Sequence, residues 1–476
     1  MTRERIGLAL GGGLCALMLL LPAPAGLQDP AWRTAAVGVL MATWWVTEAI
    51  PIPATALLPL VLFPLLGAGS IRIAAAPFAN PVIYLFLGGF LLAAAMQRWG
   101  LPRRIALRSI GLFGARPRSI VAGIMASCAF LSMWVSNTAT ALMMLPIGVS
   151  LVELVPGDED DPERRRFATL LMLGIAYACT IGGMATLIGT PPNALLKGFM
   201  YESYGVTIGF AEWMLVGLPI ALIGLLLSYL LLSRVVFPIH LQELPGKGEL
   251  VRLELAAIGR MGTAERRVAA VFALTALLWM ARPLLEKRIP GITDEVIAMG
   301  SALALFLLPA GNEAGDRLLS WEDARRTPWG VLILFGGGLS LAAAVGRTGL
   351  SAWIGSGVGG LSHWPLFLLT VVVIVAVILL TELTSNTATA ATFLPVLGGV
   401  AVGLGRDPLL LAVPAALAAS GAFMLPVATP PNAIVYGSGS VTIHEMVRAG
   451  IGLNLLFAAL ITAATWTLVP LLFGTA

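Results

Sequence analysis

The sequence predicts an all-α polytopic membrane protein: about eleven transmembrane helices plus two re-entrant helical hairpins, arranged as an inverted-topology repeat. Three observations lead there. Hydrophobic residues make up 58% of the 476 positions and charged residues 11%, whereas soluble domains carry roughly 25% charged residues. Apolar runs repeatedly reach about 20 residues, the length that crosses a bilayer's hydrocarbon core as a helix. The pentapeptide Ser-Asn-Thr-Ala-Thr occurs twice, from Ser136 and from Ser385, each copy embedded in apolar sequence. No short alternating segments of the outer-membrane barrel kind are seen. The net charge of +4 does not point to nucleic acid, because the basic residues fall in loops between spans. Cys15, Cys128 and Cys179 sit within apolar stretches, which argues against a disulfide framework.

Taken in order, the first 26 residues combine a basic flank, an apolar core and small residues, as signal peptides do. The run is long enough to span, so a retained first helix within residues 1–29 is expected. Apolar segments each assigned one crossing follow near 34–48, 53–67, 81–100, 167–201, 211–237, 265–284, 292–309, 328–350, 408–438 and 447–474. The segments at 119–153 and 364–404 are each about twice a bilayer crossing in length, and each carries its polar pentapeptide at the middle. A polar turn at mid-depth favours a hairpin that enters and returns (about 117–153 and 362–404). Such backbone must be buried in protein rather than face lipid. Treating both hairpins as non-crossing and placing the N-terminus in the cytoplasm puts 21 of the 29 Lys and Arg residues on the inner side and 8 on the outer. That assignment obeys the positive-inside rule and leaves the C-terminus outside.

The repeat extends beyond the pentapeptide. LGGFLLAAAMQRWGL (87–101) resembles GGGLSLAAAVGRTGL (336–350) at the same offset of 249, and GTPPNAL (189–195) resembles ATPPNAI (428–434) at an offset of 239. The charged loop GDEDDPERRR (157–166), replaced in the second half by a short GRD turn (405–407), accounts for the shortfall. The polar stretch 238–264 separates a first repeat (30–237) from a second (265–476). Five crossings separate each copy from its partner, so the copies lie upside down to one another, an arrangement common among secondary transporters.

Two adjacent prolines cannot continue a helical ladder but suit the first turn of a new helix. Pro191-Pro192 and Pro430-Pro431 therefore predict broken helices, with Thr190 and Thr429 at the breaks. Ser, Asn and Thr are strong N-caps, so each SNT predicts a hairpin tip at which the returning helix starts. Four such helix ends near the midplane would together present on the order of two positive charges before screening. Hydroxyls, amides and backbone carbonyls suit carboxylate or sulfate oxygens as donors and a hard cation as acceptors, and disfavour soft metals. No Lys or Arg occurs in the motifs, so an anion at mid-bilayer is most economically compensated by co-transported cations. Ser132 and Thr381, each one helical turn before an SNT serine, offer a further hydroxyl on the same face. Glu382 matches Met133 in the first half and reads as a structural carboxylate that could also modulate the second cation site or carry a proton. Glu48 reads as interfacial, and Lys197, whose counterpart is Tyr436, falls outside the site. An intramembrane enzyme would need a paired acid, base or nucleophile in the membrane. His240, His363 and His444 lie outside the motifs and no paired carboxylates occur, so neither catalysis nor a cofactor is expected.

The paired SNT motifs, the paired TPPN motifs and WWVTEAIPIPATALLPL (44–60) together resemble the divalent anion/sodium symporter family, over about residues 30–475. The resemblance implies a homodimer in a bacterial inner membrane and an elevator-type mechanism. A transport domain (about 117–237 and 362–474) would move against a scaffold (about 1–113 and 265–359). It implies one sodium site at Ser132, Ser136, Asn137 and Gly189, and a second at Thr381, Ser385, Asn386 and Ala428. It implies substrate contacts from Asn137, Thr138, Asn386 and Thr387, with Thr190, Thr429 and Pro430 nearby. A C4-dicarboxylate such as succinate, malate or fumarate is the expected cargo. Sulfate or citrate symport and sodium-independent dicarboxylate exchange are the alternatives.

Overall fold

The computed structural model describes residues 2–114, 116–156, 158, 161–240, 246–357 and 363–474. Part of the expected linker (241–245) and the entry to the second hairpin segment (358–362) lie outside the described residues. Among those described, the regular structure is helical, with one isolated bridge between Pro309 and Arg317.

Seven helices among the described residues are long and apolar enough to cross a membrane: Ile71–Arg98, Pro162–Gly183, Phe210–Val236, Thr263–Leu285, Trp329–Arg347, Asn386–Gly403 and Ile443–Phe473. This set differs from a simple tally of eleven crossings: Asn386–Gly403 belongs to the second hairpin, Arg3–Leu20, Asp29–Thr47 and Asp294–Leu307 are unbroken but too polar or too short, and two further segments are broken. The segment near 53–67 consists of Ile52–Thr55 and Leu58–Leu65, with Pro53, Pro59 and Pro64 along it. The segment near 408–438 is split into Leu409–Ala419 and Pro430–Gly437. Proline removes ladder bonds in both.

Both SNT segments interrupt a helical pair. Pro117–Ser132 is followed by Asn137–Glu153, and Leu366–Thr381 by Asn386–Gly403. The starts and ends of the leading arms, and the starts of the returning arms, keep the sequence offset of 249. Both TPPN segments start a helix at their first proline: Pro191–Tyr204 after Pro162–Gly183, and Pro430–Gly437 after Leu409–Ala419.

The centre of the molecule is the interrupted helices themselves. Every residue from Phe167 to Gly183, and every residue of Leu409–Ala419, is buried. Pro162–Gly183 packs against both arms of the first hairpin and against Pro430–Gly437 of the other half. The Tyr177 hydroxyl donates to the Phe423 carbonyl at 2.8 Å, joining the two halves at their breaks. A second tie lies away from this centre. Arg104, on helix Leu101–Leu112, makes a two-pronged contact with Glu265 on Thr263–Leu285 (2.5 and 2.9 Å), both side chains being buried. A third guanidinium bond from Arg104 reaches the Gly259 carbonyl at 2.8 Å.

Candidate functional site

Asn193 and Asn432, the last residues of the two TPPN motifs, show how the breaks are held open. Asn193 Nδ2 donates to the carbonyls of Gly183 (3.3 Å), Met184 (3.2 Å) and Thr186 (2.8 Å). Asn432 Nδ2 donates to those of Ala422 (3.5 Å) and Leu425 (3.0 Å). Residues 183 and 186 correspond to 422 and 425 at the repeat offset of 239. In both halves the same amide therefore staples the same two unwound carbonyls. Unpaired buried carbonyls are costly, and each asparagine is fully buried.

The hairpin tips are fastened to the breaks differently in the two halves. In the first, the Thr186 hydroxyl donates to the Met133 carbonyl at 2.6 Å. In the second, Glu382 stands at the position of Met133. Its carboxylate accepts from the backbone N–H groups of Phe423, Met424 and Leu425 at 2.8–3.1 Å, and from Asn454 Nδ2 at 2.8 Å. In the first half the matching N–H groups of Met184 and Ala185 bond to the carbonyls of Ile181 and Gly182. The carboxylate thus takes over N–H groups that helical backbone satisfies in the first half. This fits the earlier helix end in the second half, at Ala419, which corresponds to position 180 of a helix that runs on to Gly183.

The motif residues meet at one cavity of about 680 Å³. Ser136, Asn137 and Thr138 line it from the first hairpin and Ser385, Asn386 and Thr387 from the second; Gly189, Thr190, Ala428, Thr429 and Pro430 line it from the breaks. Ser132 and Thr381 are fully buried and bond to the cavity's asparagines. Ser132 Oγ donates to Asn137 Oδ1, and Thr381 Oγ1 to Asn386 Oδ1 at 2.7 Å. Thr190 and Ser420 approach across the two breaks, Oγ1 to Oγ at 3.5 Å. All four helix N-termini expected from the motifs open onto this space, at Asn137, Pro191, Asn386 and Pro430. Capping is uneven: Ser136 accepts from Ala139 N and Thr429 from Asn432 N, while Ser385 and Thr190 make no side-chain cap bond.

Oxygens converge beside each asparagine. A methyl group on Gly183 would lie 2.8 Å from Asn137 Oδ1 and 3.0 Å from both Asn137 Nδ2 and the Gly189 carbonyl oxygen, so the asparagine amide and that carbonyl crowd against the same helix end. In the second half Thr381 Oγ1 lies 2.7 Å from Asn386 Oδ1 and 2.8 Å from the Ala419 carbonyl. These neutral oxygen sets fit a hard cation rather than a soft metal.

Sequence reasoning missed the two charged residues at this cavity. Arg3 lines it, with Nη2 donating to the carbonyls of Val46 (2.5 Å) and Leu383 (3.2 Å). Glu48 lines it from a left-handed helix end (φ 52°). Neither lies in a repeated motif, and the first helix folds back to reach the site without a local signal. A neighbouring cavity of about 760 Å³ shares Phe90, Ser136, Thr138 and Pro328, and extends to Arg98, Asp323 and Arg326. Burial opposes the Asp323 charge. The Ser320 hydroxyl and N–H, with the Arg98 guanidinium, outweigh it and hold this carboxyl below the usual range. Lys197 lies apart from the site, paired with Asp294 and Glu295.

The fold and the site define a class: an all-α polytopic membrane protein whose polar centre is made of interrupted helices, as in secondary transporters. More narrowly, the chain belongs to the family described as the sodium:sulfate symporter transmembrane region, which matches residues 8–473. It is 43% identical over 479 residues to the sodium-dependent dicarboxylate transporter SdcS of Staphylococcus saprophyticus, covering 99% of this chain and 92% of that one. SdcS of Staphylococcus aureus strain MRSA252 is 43% identical over 484 residues with the same coverage. Among solved structures, the YdaH transporter of Alcanivorax borkumensis aligns with a TM-score of 0.62 at 14% identity, covering 99% of this chain and 97% of its own. MtrF of Neisseria gonorrhoeae aligns with a TM-score of 0.57 at 13% identity, covering 96% of each chain. At that identity the likeness is one of fold. The family and these relatives are transporters, not enzymes.

Proposed function

We propose that this chain is a sodium-coupled symporter that imports a divalent anion, a C4-dicarboxylate such as succinate, malate or fumarate. The observation that carries this reading is the single cavity lined by both SNT motifs and both TPPN breaks. The naming of relatives at 43% identity as sodium-dependent dicarboxylate transporters supports the choice of cargo. Asn137, Thr138, Asn386 and Thr387 would donate to the substrate carboxylates, with Thr190, Thr429 and Pro430 beside them. One sodium ion would be held by Ser132, Ser136, Asn137 and Gly189, and a second by Thr381, Ser385, Asn386 and Ala428. Each asparagine would then serve both cargoes, its oxygen facing the cation and its amide the anion. That sharing is a physical route to coupling.

The same reading makes the protein a homodimer of the bacterial plasma membrane, with the N-terminus cytoplasmic and the C-terminus outside. The two halves are an inverted repeat and the hairpins re-entrant. Residues of about 117–237 and 362–474 form a transport domain that moves against a scaffold of about 1–113 and 265–359. The recurrence of helix ends at offsets of 249 and 239 supports the repeat. Sulfate is the second reading, favoured by the description of the family itself.

Uptake of labelled succinate, citrate and sulfate into proteoliposomes, with and without an inward sodium gradient, tests the proposal. Succinate uptake driven by sodium is expected; uptake indifferent to sodium sinks it. Asn137→Ala and Asn386→Ala are each expected to lower uptake at least about 100-fold, the scale of losing ~3 kcal/mol of buried polar contact. Unchanged rates would sink the site assignment.

A further inference from the structure

Lys197 belongs to helix Pro191–Tyr204, which begins at the first break of the site. Its ammonium lies 3.1 Å from Asp294 Oδ2 and 2.7 Å from Glu295 Oε1, at the start of helix Asp294–Leu307. Asp294 is buried, and the same Oδ2 accepts from the Phe210 backbone N–H at 2.9 Å, at the N-terminus of helix Phe210–Leu230. Glu202, further along the Lys197 helix, accepts from Asn80 Nδ2 at 3.1 Å. Arg282 stands behind Asp294, Nη1 to Oδ2 3.8 Å. Two polar atoms in this group, Asp294 Oδ1 and Arg282 Nε, are buried without a partner. Asp294 and Arg282 both line a small cavity of about 220 Å³, together with Asn80, Val82 and Thr293.

We propose that Lys197 with Asp294 and Glu295 is a reversible ionic latch, and that Lys197 is a positioning residue for translocation. The proposal rests on the division into two bodies given above. Lys197, Glu202 and the Phe210 N–H lie in the transport domain of that division; Asn80, Asp294, Glu295 and Arg282 lie in the scaffold. In the proposed topology the Lys197 seam lies at the outer side, while the Arg3 and Arg326 ends of the two connected cavities lie at the inner side. The seam is thus engaged where the site is not approached. A buried ion pair adds little stability over an apolar isostere, yet losing one partner is expensive. Such a pair favours two outcomes, engaged and dry or separated and hydrated, over intermediate positions. Arg282 makes separation feasible, because Asp294 keeps a cation at 3.8 Å when Lys197 departs.

The test uses the full chain with Cys15, Cys128 and Cys179 replaced, and Val82→Cys as a probe. Val82 is buried under the Lys197 helix, where a methyl group on Gly198 would lie 2.9 Å from it. Maleimide labelling in proteoliposomes is expected to be about fivefold or more faster in Lys197→Met than in the parent, with Lys197→Arg restoring slow labelling. Glu295→Gln, which leaves Asp294 with both its cations, is expected to shift labelling the same way and guards against a folding failure of Lys197→Met. Labelling rates equal to the parent in both variants overturn the latch. In parallel, Lys197→Cys with Glu295→Cys is joined by a reducible bis-thiosulfonate. Arrest of uptake that reduction reverses is expected. Full uptake in the joined protein overturns the two-body division and the latch with it. Arrest combined with parental labelling rates in Lys197→Met and Glu295→Gln overturns the latch alone.

Discussion

Glu382 is a buried carboxylate that accepts from three backbone N–H groups of one unwound turn, the Met424 N–H being shared by both its oxygens, and from the Asn454 amide on the last helix. The sequence favours a structural carboxylate at this position beside Thr381, with cation modulation or proton carriage as alternatives, and the geometry agrees with the structural reading. Glu382→Gln keeps one acceptor oxygen but turns an NH₂ toward N–H donors. The expected cost is about 3 kcal/mol, read as a lower unfolding temperature in detergent, and Asn454→Ala is expected to cost less. Gly189 makes a second point at this scale. A methyl group there would lie 2.4 Å from the Gly183 carbonyl oxygen. The second half carries Ala428 and Ala422 at those positions, where the preceding helix has already ended at Ala419. Gly189→Ala is therefore expected to abolish sodium-stimulated uptake while leaving the protein folded. Ala428→Gly is expected to change uptake less than about threefold, since glycine here costs chiefly chain entropy. Equal effects of the two substitutions would contradict the asymmetry of the breaks.

The breaks and tips were legible in sequence because their causes are local. Proline pairs end ladders, SNT places cap residues inside apolar runs, and each signal occurs twice at a fixed offset. Every residue named for the site from these motifs lines the cavity or bonds to one that does. What was not legible depends on partners far away in the chain. Asn193 and Asn432 read only as motif positions, since the carbonyls they staple become free only once the helix is broken. Lys197 read as a residue outside the site, and its carboxylates lie nearly 100 positions away. The fold's tally of crossings also resisted, because two apolar segments are divided into short helices and others are too short or too polar to span by themselves. Between elements, the Arg104–Glu265 pair shows what such long-range contacts contribute. Arg104→Met leaves a buried carboxylate alone and is expected to destabilise by about 3–5 kcal/mol. Arg104→Met with Glu265→Leu is expected to recover most of that. Denaturation of the two variants in detergent checks the difference, and a double variant as unstable as the single would refute it.

On the scale of the whole molecule, the proposed cargo and sites fix a charge balance. A C4-dicarboxylate carries two negative charges at neutral pH. The repeated motifs supply no fixed cation, and Arg3 and Glu48, which also line the cavity, carry opposite charges and belong to the proposed scaffold, so neither travels with the cargo. In the proposed assignment two repeat-related cation positions would supply two positive charges, so one full set of cargo would add no net charge to what crosses the bilayer. Membrane potential does work of about 2.3 kcal/mol per 100 mV on each net charge moved, and here the net charge is zero. Sodium-driven succinate uptake is therefore expected to run equally fast with the membrane potential clamped at zero or at about 100 mV inside-negative. Its dependence on sodium concentration should be cooperative, with a Hill coefficient approaching two. Valinomycin and potassium gradients set the potential while the sodium gradient is held fixed. Acceleration by an inside-negative potential would show that a further cation travels with the anion, and the two-site assignment would then be incomplete. A Hill coefficient of one, with uptake still sodium-driven, would show that only one of the mirrored oxygen sets is a coupling site.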